Sequence, residues 1–141
     1  MDVSETVVTA WARLLRAQAI ALGRVEGALK AQGLPPLAWY DVLLELERSG
    51  APMRPHVMEG ELLLAQYNLS RLLDRMEAGG LIARSPDPQD GRGRLVALTD
   101  AGRATRHAMW PVYAGAIQAA VGERLSEAQA RSLADLLGKL A

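Results

Sequence analysis

Two short stretches carry residue types suited to reading a charged, edge-patterned surface. In the first, Leu69, Leu72, Leu73 and Met76 recur at helical spacing. That turns Tyr67, Ser70, Arg71 and Asp74 outward, with Arg75 on the flank. Gln66 and Asn68 fall in the first turn, where free amides and the positive end of the helix dipole attract phosphate. A long aromatic, a hydroxyl and a guanidinium are contact types for base edges in a major groove. The alternative is a solvated face on which Arg71 and Arg75 pair with Asp74 and Glu77. In the second stretch, Asp90-Gly91-Arg92-Gly93-Arg94 sets two guanidiniums among glycines. The backbone can then approach a surface closely, and Arg92 and Arg94 can reach into a narrow minor groove. Asp90 is expected to orient Arg92 through a forked hydrogen-bonded pair. An ordinary polar turn is the alternative here.

Other chemistry finds little footing. The chain has no Cys, so a thiol nucleophile, a thiolate metal site and a disulfide framework are excluded. His56 and His107 lie far apart, and Ser70 has no base at helical spacing. Glu45 with Glu47, and Glu59 with Glu61, are two positions apart and do not face one another on a helix. No acid or histidine set has metal-ligand spacing. The reading is a non-enzyme with no catalytic residues, no metal and no cofactor.

Composition bounds the rest. The 141 residues are half apolar and carry sixteen basic and sixteen acidic side chains, which fits one compact domain. Zero formal charge argues mildly against a nucleic-acid partner. The basic residues are, however, 14 Arg and 2 Lys, a bias suited to bidentate recognition of phosphate or guanine and equally produced by GC-rich codons. Apolar runs are far shorter than the roughly 20 residues of a membrane span, and the first residues lack a signal-peptide pattern. The expected place is the cytoplasm, without a membrane partner.

These stretches need a scaffold. Val8, Trp11, Leu15, Leu22, Val25 and Leu29 predict a long first helix that stops at Gly33-Leu34-Pro35-Pro36. A second helix starts near Leu37 with the stripe Trp39, Val42, Leu43 and Leu46, and closes at Ser49-Gly50-Ala51-Pro52. Met53 to Pro55 fits a brief extended piece. Two apolar sets between Val57 and Gly80 predict two helices joined by a tight turn around Leu64 to Gln66. Leu81 to Arg84 and Arg94 to Leu98 predict a hairpin whose tip, Ser85 to Gly93, reads as a long polar loop. Thr99-Asp100 starts a long helix to about Glu123, which Pro111 must bend or locally open. Ser126 with Gln129 forms a capping box for a last helix bearing Leu133, Leu136, Leu137 and Leu140. A lone hairpin is marginal in water and must pack on the helix pair before it, which makes the centre a winged helix-turn-helix.

Four motifs then follow in one order: Asn68-Leu69-Ser70-Arg71-Leu72-Leu73-Asp74-Arg75-Met76-Glu77, Gly80-Leu81-Ile82-Ala83-Arg84, Asp87-Pro88-Gln89-Asp90-Gly91-Arg92 and Leu98-Thr99-Asp100-Ala101-Gly102-Arg103. This series resembles the MarR family of bacterial transcriptional regulators. The resemblance implies a mainly α fold with a small β-hairpin wing, and a single domain spanning 1–141. Within it, 37–99 would form the winged helix-turn-helix region, and 1–33 and 100–141 the dimerisation helices. It further implies a homodimer on an inverted-repeat operator in double-stranded DNA, with repression as the default. The helix from Gln66 to Ala78 would enter the major groove and Arg92 the minor groove, with Asp90 holding Arg92. Ala65 stands where the family usually has a capping Ser or Thr, an omission that costs about 1 kcal/mol. Independently of the resemblance, the apolar faces of the first and last helices exceed what one thin domain can bury, which favours association.

Many proteins of this family release DNA on binding a small aromatic or phenolic effector. By that resemblance Trp11, Trp39 and His56 fall on elements bordering the effector crevice, with core packing as the competing role for the tryptophans. A winged-helix module that binds protein instead of DNA is the alternative function.

Overall fold

In a computed structural model the protein is described for residues 1–63 and 68–141. The elements are α1 (Glu5–Ala31), α2 (Leu37–Ser49), α3 (Pro55–Glu61), α4 (Leu69–Ala78), β1 (Ile82–Asp87), β2 (Asp90–Leu98), α5 (Asp100–Ile117) and α6 (Glu127–Gly138). A π-helical turn at Gln118–Gly122 extends α5. The chain thus has the mainly α composition with one antiparallel hairpin that the sequence predicts. It divides into two compact units, Met1–Gln32 with Val112–Ala141, and Gly33–Pro111.

The Gly33–Pro111 unit is built around one apolar cluster. Val42, Leu43 and Leu46 of α2, Met58 of α3, the α4 stripe, and Leu81, Ile82 and Val96 of the wing are buried together. Glycines end the helices where the sequence places them: Gly50 and Gly80 adopt left-handed φ of 66° and 77°. The backbone of Met53 bridges Val96 through reciprocal bonds of 2.9 and 2.8 Å, so the short extended piece becomes a third rung on the wing. The start of α5 is latched to the turn between α4 and β1. Thr99 Oγ1 donates to the Gly80 carbonyl at 2.7 Å and accepts from the Gly102 amide at 3.0 Å. Gly102 itself is buried, and a Cβ there would stand 2.1 Å from the Leu81 carbonyl oxygen. Within this unit Glu47 of α2 forms an ion pair with Arg106, accepts from His107 at 3.0 Å and lies 3.4 Å from Arg103. Burial pushes the Glu47 carboxyl up, but the bonds from His107 and Arg106 outweigh it and hold the group below its ordinary value.

In the other unit, α1 begins at Ser4, whose side chain accepts from the Val7 amide. Ser126 and Gln129 form the full capping box of α6. This unit exposes many large apolar side chains, among them Val7, Trp11, Leu15 and Ile20 of α1, Leu133, Leu136 and Leu137 of α6, and Leu140 just beyond it. No helix among the described residues is long and apolar enough to cross a membrane. No group of three or more described His, Asp or Glu residues is placed to hold a metal ion.

Two predicted features are corrected. The hairpin tip is not a long loop: β1 and β2 run down to a two-residue turn, Pro88-Gln89, with Asp87 opposite Asp90. Pro86 is tolerated because each strand of a two-stranded sheet is an edge strand. The register then jumps to Pro86 opposite Arg94, leaving Gly91, Arg92 and Gly93 outside the ladder. Pro111 lies inside a helix that runs unbroken from Asp100 to Ile117, so it does not open the helix, and the departure from α geometry comes later, in the π-helical turn.

Candidate nucleic-acid interface

The helix α4 presents its outward face because both ends are fixed. Asn68 is the N-cap, its side chain accepting from the Arg71 amide at 3.1 Å. The absence of a cap inferred from Ala65 is therefore corrected, since the helix begins three residues later than that reading supposed. At the far end Leu81 donates to Met76 at 3.0 Å and Gly80 to Glu77 at 2.9 Å, a Schellman closure that needs the positive φ of Gly80. Leu69, Leu72, Leu73 and Met76 are buried, so Asn68, Ser70, Arg71, Asp74 and Arg75 are all exposed. Gln66 and Tyr67 lie outside the described residues.

The acids on this helix do not pair with its own arginines. Arg84, on β1, donates to Asp74 at 2.7 Å and to Glu77 at 3.0 Å, and its backbone amide reaches the second Glu77 oxygen at 3.0 Å. The Arg84 guanidinium, followed by its amide, holds the Glu77 carboxyl below the usual carboxylate range. Among the described residues no ion pair engages Arg71 or Arg75. A reader of phosphate or of base edges needs such guanidiniums, free of internal anions.

At the wing tip, Arg92 and Arg94 are exposed. The Arg94 guanidinium makes only a long 3.4 Å bond to the Arg84 carbonyl. Asp90 departs from its expected role: its Oδ1 accepts from the backbone amide of Arg92 at 3.1 Å, not from the guanidinium. It shapes the turn and, among the described residues, no hydrogen bond or ion pair engages the Arg92 side chain. Gly93 packs closely beside it: a Cβ there would lie 3.3 Å from Asp90 Oδ2, a contact relieved by a shift of a few tenths of an ångström in that exposed side chain.

Sequence reasoning missed the anchor of this tip. Arg54, the residue before α3, donates Nε to Asp87 Oδ2 at 2.5 Å, and Nη2 to Asp87 Oδ1 at 3.3 Å and Gln89 Oε1 at 3.0 Å. Asp87 also accepts from the Gln89 amide at 2.9 Å and is only 4% exposed. Nothing local signals a pair separated by 33 positions. Asp41 of α2 was missed likewise; it is buried and accepts from the Leu63 amide at 3.0 Å, fixing the chain just after α3.

The Asp87 carboxyl is held below its ordinary value, first by Arg54 and then by the Gln89 amide. A depressed folded value means that the anchor contributes fully above the unfolded carboxylate value of about 3.9 and is lost as pH falls through the lower folded value. Amide exchange in residues 88–94 is therefore expected to stay flat from neutral pH to about pH 4, once corrected for intrinsic rates, and to rise below it. Exchange that rises near pH 6 would contradict this anchor.

Of the residues assigned to an effector, Trp39 is half-buried and packs against the apolar cluster of its unit. His56 is exposed on α3, and Trp11 is 61% exposed on α1.

Comparison with known proteins agrees with this architecture. A MarR family model matches residues 32–93. The transcriptional activatory protein BadR of Rhodopseudomonas palustris is 36% identical over 109 residues, 71% of this chain and 56% of BadR. The chain spans about half the length of the curated relatives it matches. Among solved structures, the MarR family regulator Sco3205 of Streptomyces coelicolor, in complex with DNA, superposes with a TM-score of 0.86 at 24% identity, covering 99% of this chain and 88% of that one. BpsR of Bordetella bronchiseptica, described with a mechanism for regulation of its DNA binding by 6-hydroxynicotinic acid, gives 0.81 at 25%, covering 94% and 98%. Four ordered motifs, a capped outward-facing helix and an arginine-tipped hairpin thus accompany a match to the MarR family over residues 32–93.

Proposed function

We propose that the protein is a DNA-binding transcriptional regulator that acts as a homodimer on an inverted-repeat duplex. Its helix α4 enters the major groove, and Arg92 and Arg94 enter the flanking minor groove. One observation carries this reading: Arg84 takes up the acids of α4, so that Ser70, Arg71 and Arg75 face outward without an internal anion. The DNA complex of Sco3205, a protein of the same fold, supports it. The exposed apolar residues of α1 and α6 support the dimer, because a second copy is the economical cover for them. Two reading heads on a palindrome then sit about 34 to 36 Å apart, one turn of duplex.

Repression in the cytoplasm is the sign and place we assign, since a dimer seated on a promoter excludes polymerase without further contacts. A small aromatic or phenolic acid is the proposed effector, supported by the 6-hydroxynicotinic acid mechanism described for BpsR. Trp11 and His56 are the exposed candidates for that role, while Trp39 is engaged in packing.

The test is a mobility shift with the DNA upstream of its own gene at two salt concentrations. Specific retardation is expected, with affinity falling about 1,000-fold or more between 50 and 200 mM salt if roughly six phosphates are contacted. No specific shift at low salt would favour the winged-helix module that binds protein. A promoter reporter reads the sign, and release of the duplex by a panel of aromatic acids reads the effector.

A further inference from the structure

The wing faces a mechanical difficulty. A two-stranded hairpin is marginal by itself, and here three residues, Gly91 to Gly93, leave the ladder just where Arg92 must be held. The Asp90 contact fixes the backbone of Arg92 only locally. Something outside the hairpin must set where its tip stands.

Arg54 is placed to do so. The residue before it, Met53, is bonded through its backbone to Val96 in the middle of β2. From there the Arg54 side chain reaches the last paired residue, Asp87, with two nitrogens and the turn residue Gln89 with one of them. Asp87 is the buried residue of a tip that is otherwise exposed from Ser85 to Arg92. Its two oxygens are shared between the guanidinium and the Gln89 amide, so the turn and the anchor lock together. A forked guanidinium–carboxylate pair fixes direction as well as distance, which a lysine cannot reproduce.

Building on the proposed DNA-binding reading, we infer that Arg54 is a positioning residue for the wing, acting through Asp87 and Gln89 to hold Arg92 where it can enter the minor groove, without touching the duplex itself. Two consequences separate this from general stabilisation. Loss of Arg54 matters only while Arg92 is present, and Lys at this position restores charge but not the fork.

The experiment is a double-substitution cycle on the full chain, with a fluorescent duplex selected from a random pool by the wild-type protein. Affinity is measured for wild type, Arg54→Met, Arg54→Lys, Arg92→Ala and Arg54→Met with Arg92→Ala. Amide exchange of residues 88–94 is followed in the free proteins. Arg54→Met is expected to weaken binding about 10-fold, Arg54→Lys to recover little of it, and wing exchange to rise in both. In the Arg92→Ala background the same substitution should change affinity less than 2-fold. An equal loss in both backgrounds would mean that Arg54 contacts DNA itself and would overturn the inference. So would unchanged affinity, or unchanged wing exchange in a protein that binds. A wild-type protein that selects no duplex defeats the functional reading, and this inference with it; the other negative results leave that reading standing.

Discussion

Gly102→Ala is expected to lower the melting temperature by about 10 °C. The added Cβ would lie 2.1 Å from the Leu81 carbonyl oxygen and 2.8 Å from a Leu98 methyl. The first partner is backbone, held by the Thr99 amide at 3.2 Å, so it cannot swing away like the end of a side chain. Relief requires α5 to lift off the α4–β1 turn, breaking the Thr99–Gly80 bond as well. Overpacking of this kind costs roughly 3 kcal/mol, and each kcal/mol moves the midpoint by a few degrees in a chain this size. Gly115→Ala on the same helix is the control. Nothing lies within 4 Å of its Cβ position, so helix propensity alone acts and stability should rise by up to about 1 kcal/mol. Thermal denaturation of the two variants checks the pair. Equal midpoints would mean that the start of α5 is not latched.

The second large effect is on binding. Arg71→Ala with Arg75→Ala is expected to weaken the specific complex about 100-fold while leaving the melting temperature within a degree or two. Neither guanidinium has an ion-pair partner among the described residues, and both are exposed, so little folding energy resides in them. On DNA a good base contact contributes about 1–3 kcal/mol, and a phosphate contact lowers the salt slope by roughly 0.9. Titrations at several salt concentrations divide the loss between these modes: a parallel loss on specific and random duplex marks phosphate contacts, a loss confined to the specific duplex marks base reading. Wild-type affinity in the double variant would remove α4 from the interface.

What the sequence made legible follows physical range. The helices with their glycine stops, the Ser126–Gln129 box and the outward face of α4 all rest on residues within a turn of one another, where spacing alone determines geometry. The wing tip was misread because Pro86, Pro88, Gly91 and Gly93 announce a loop by composition. Edge strands accept proline, and the register jump absorbs the glycines, so the strands reach further than propensity suggests. The start of α4 was set too early because Gln66 and Asn68 look alike as first-turn residues, and only the Asn68–Arg71 bond separates cap from helix. The Arg54–Asp87 and Glu47–Arg106 contacts join residues distant along the chain, and no periodicity reports those. The partner of Asp74 and Glu77 on α4 is likewise Arg84, a residue of the next element.

On the proposed reading, the place of Arg84 is what would let a polypeptide of formal charge zero and isoelectric point near 6.7 court a polyanion. Glu47, Asp74, Glu77 and Asp87 are each spoken for by an arginine within the fold. The cations at the α4 face and hairpin tip therefore outnumber the anions left to oppose them, a local imbalance invisible to bulk titration. A chromatographer should find the protein behaving as near neutral on an ion exchanger and as a base on immobilised heparin.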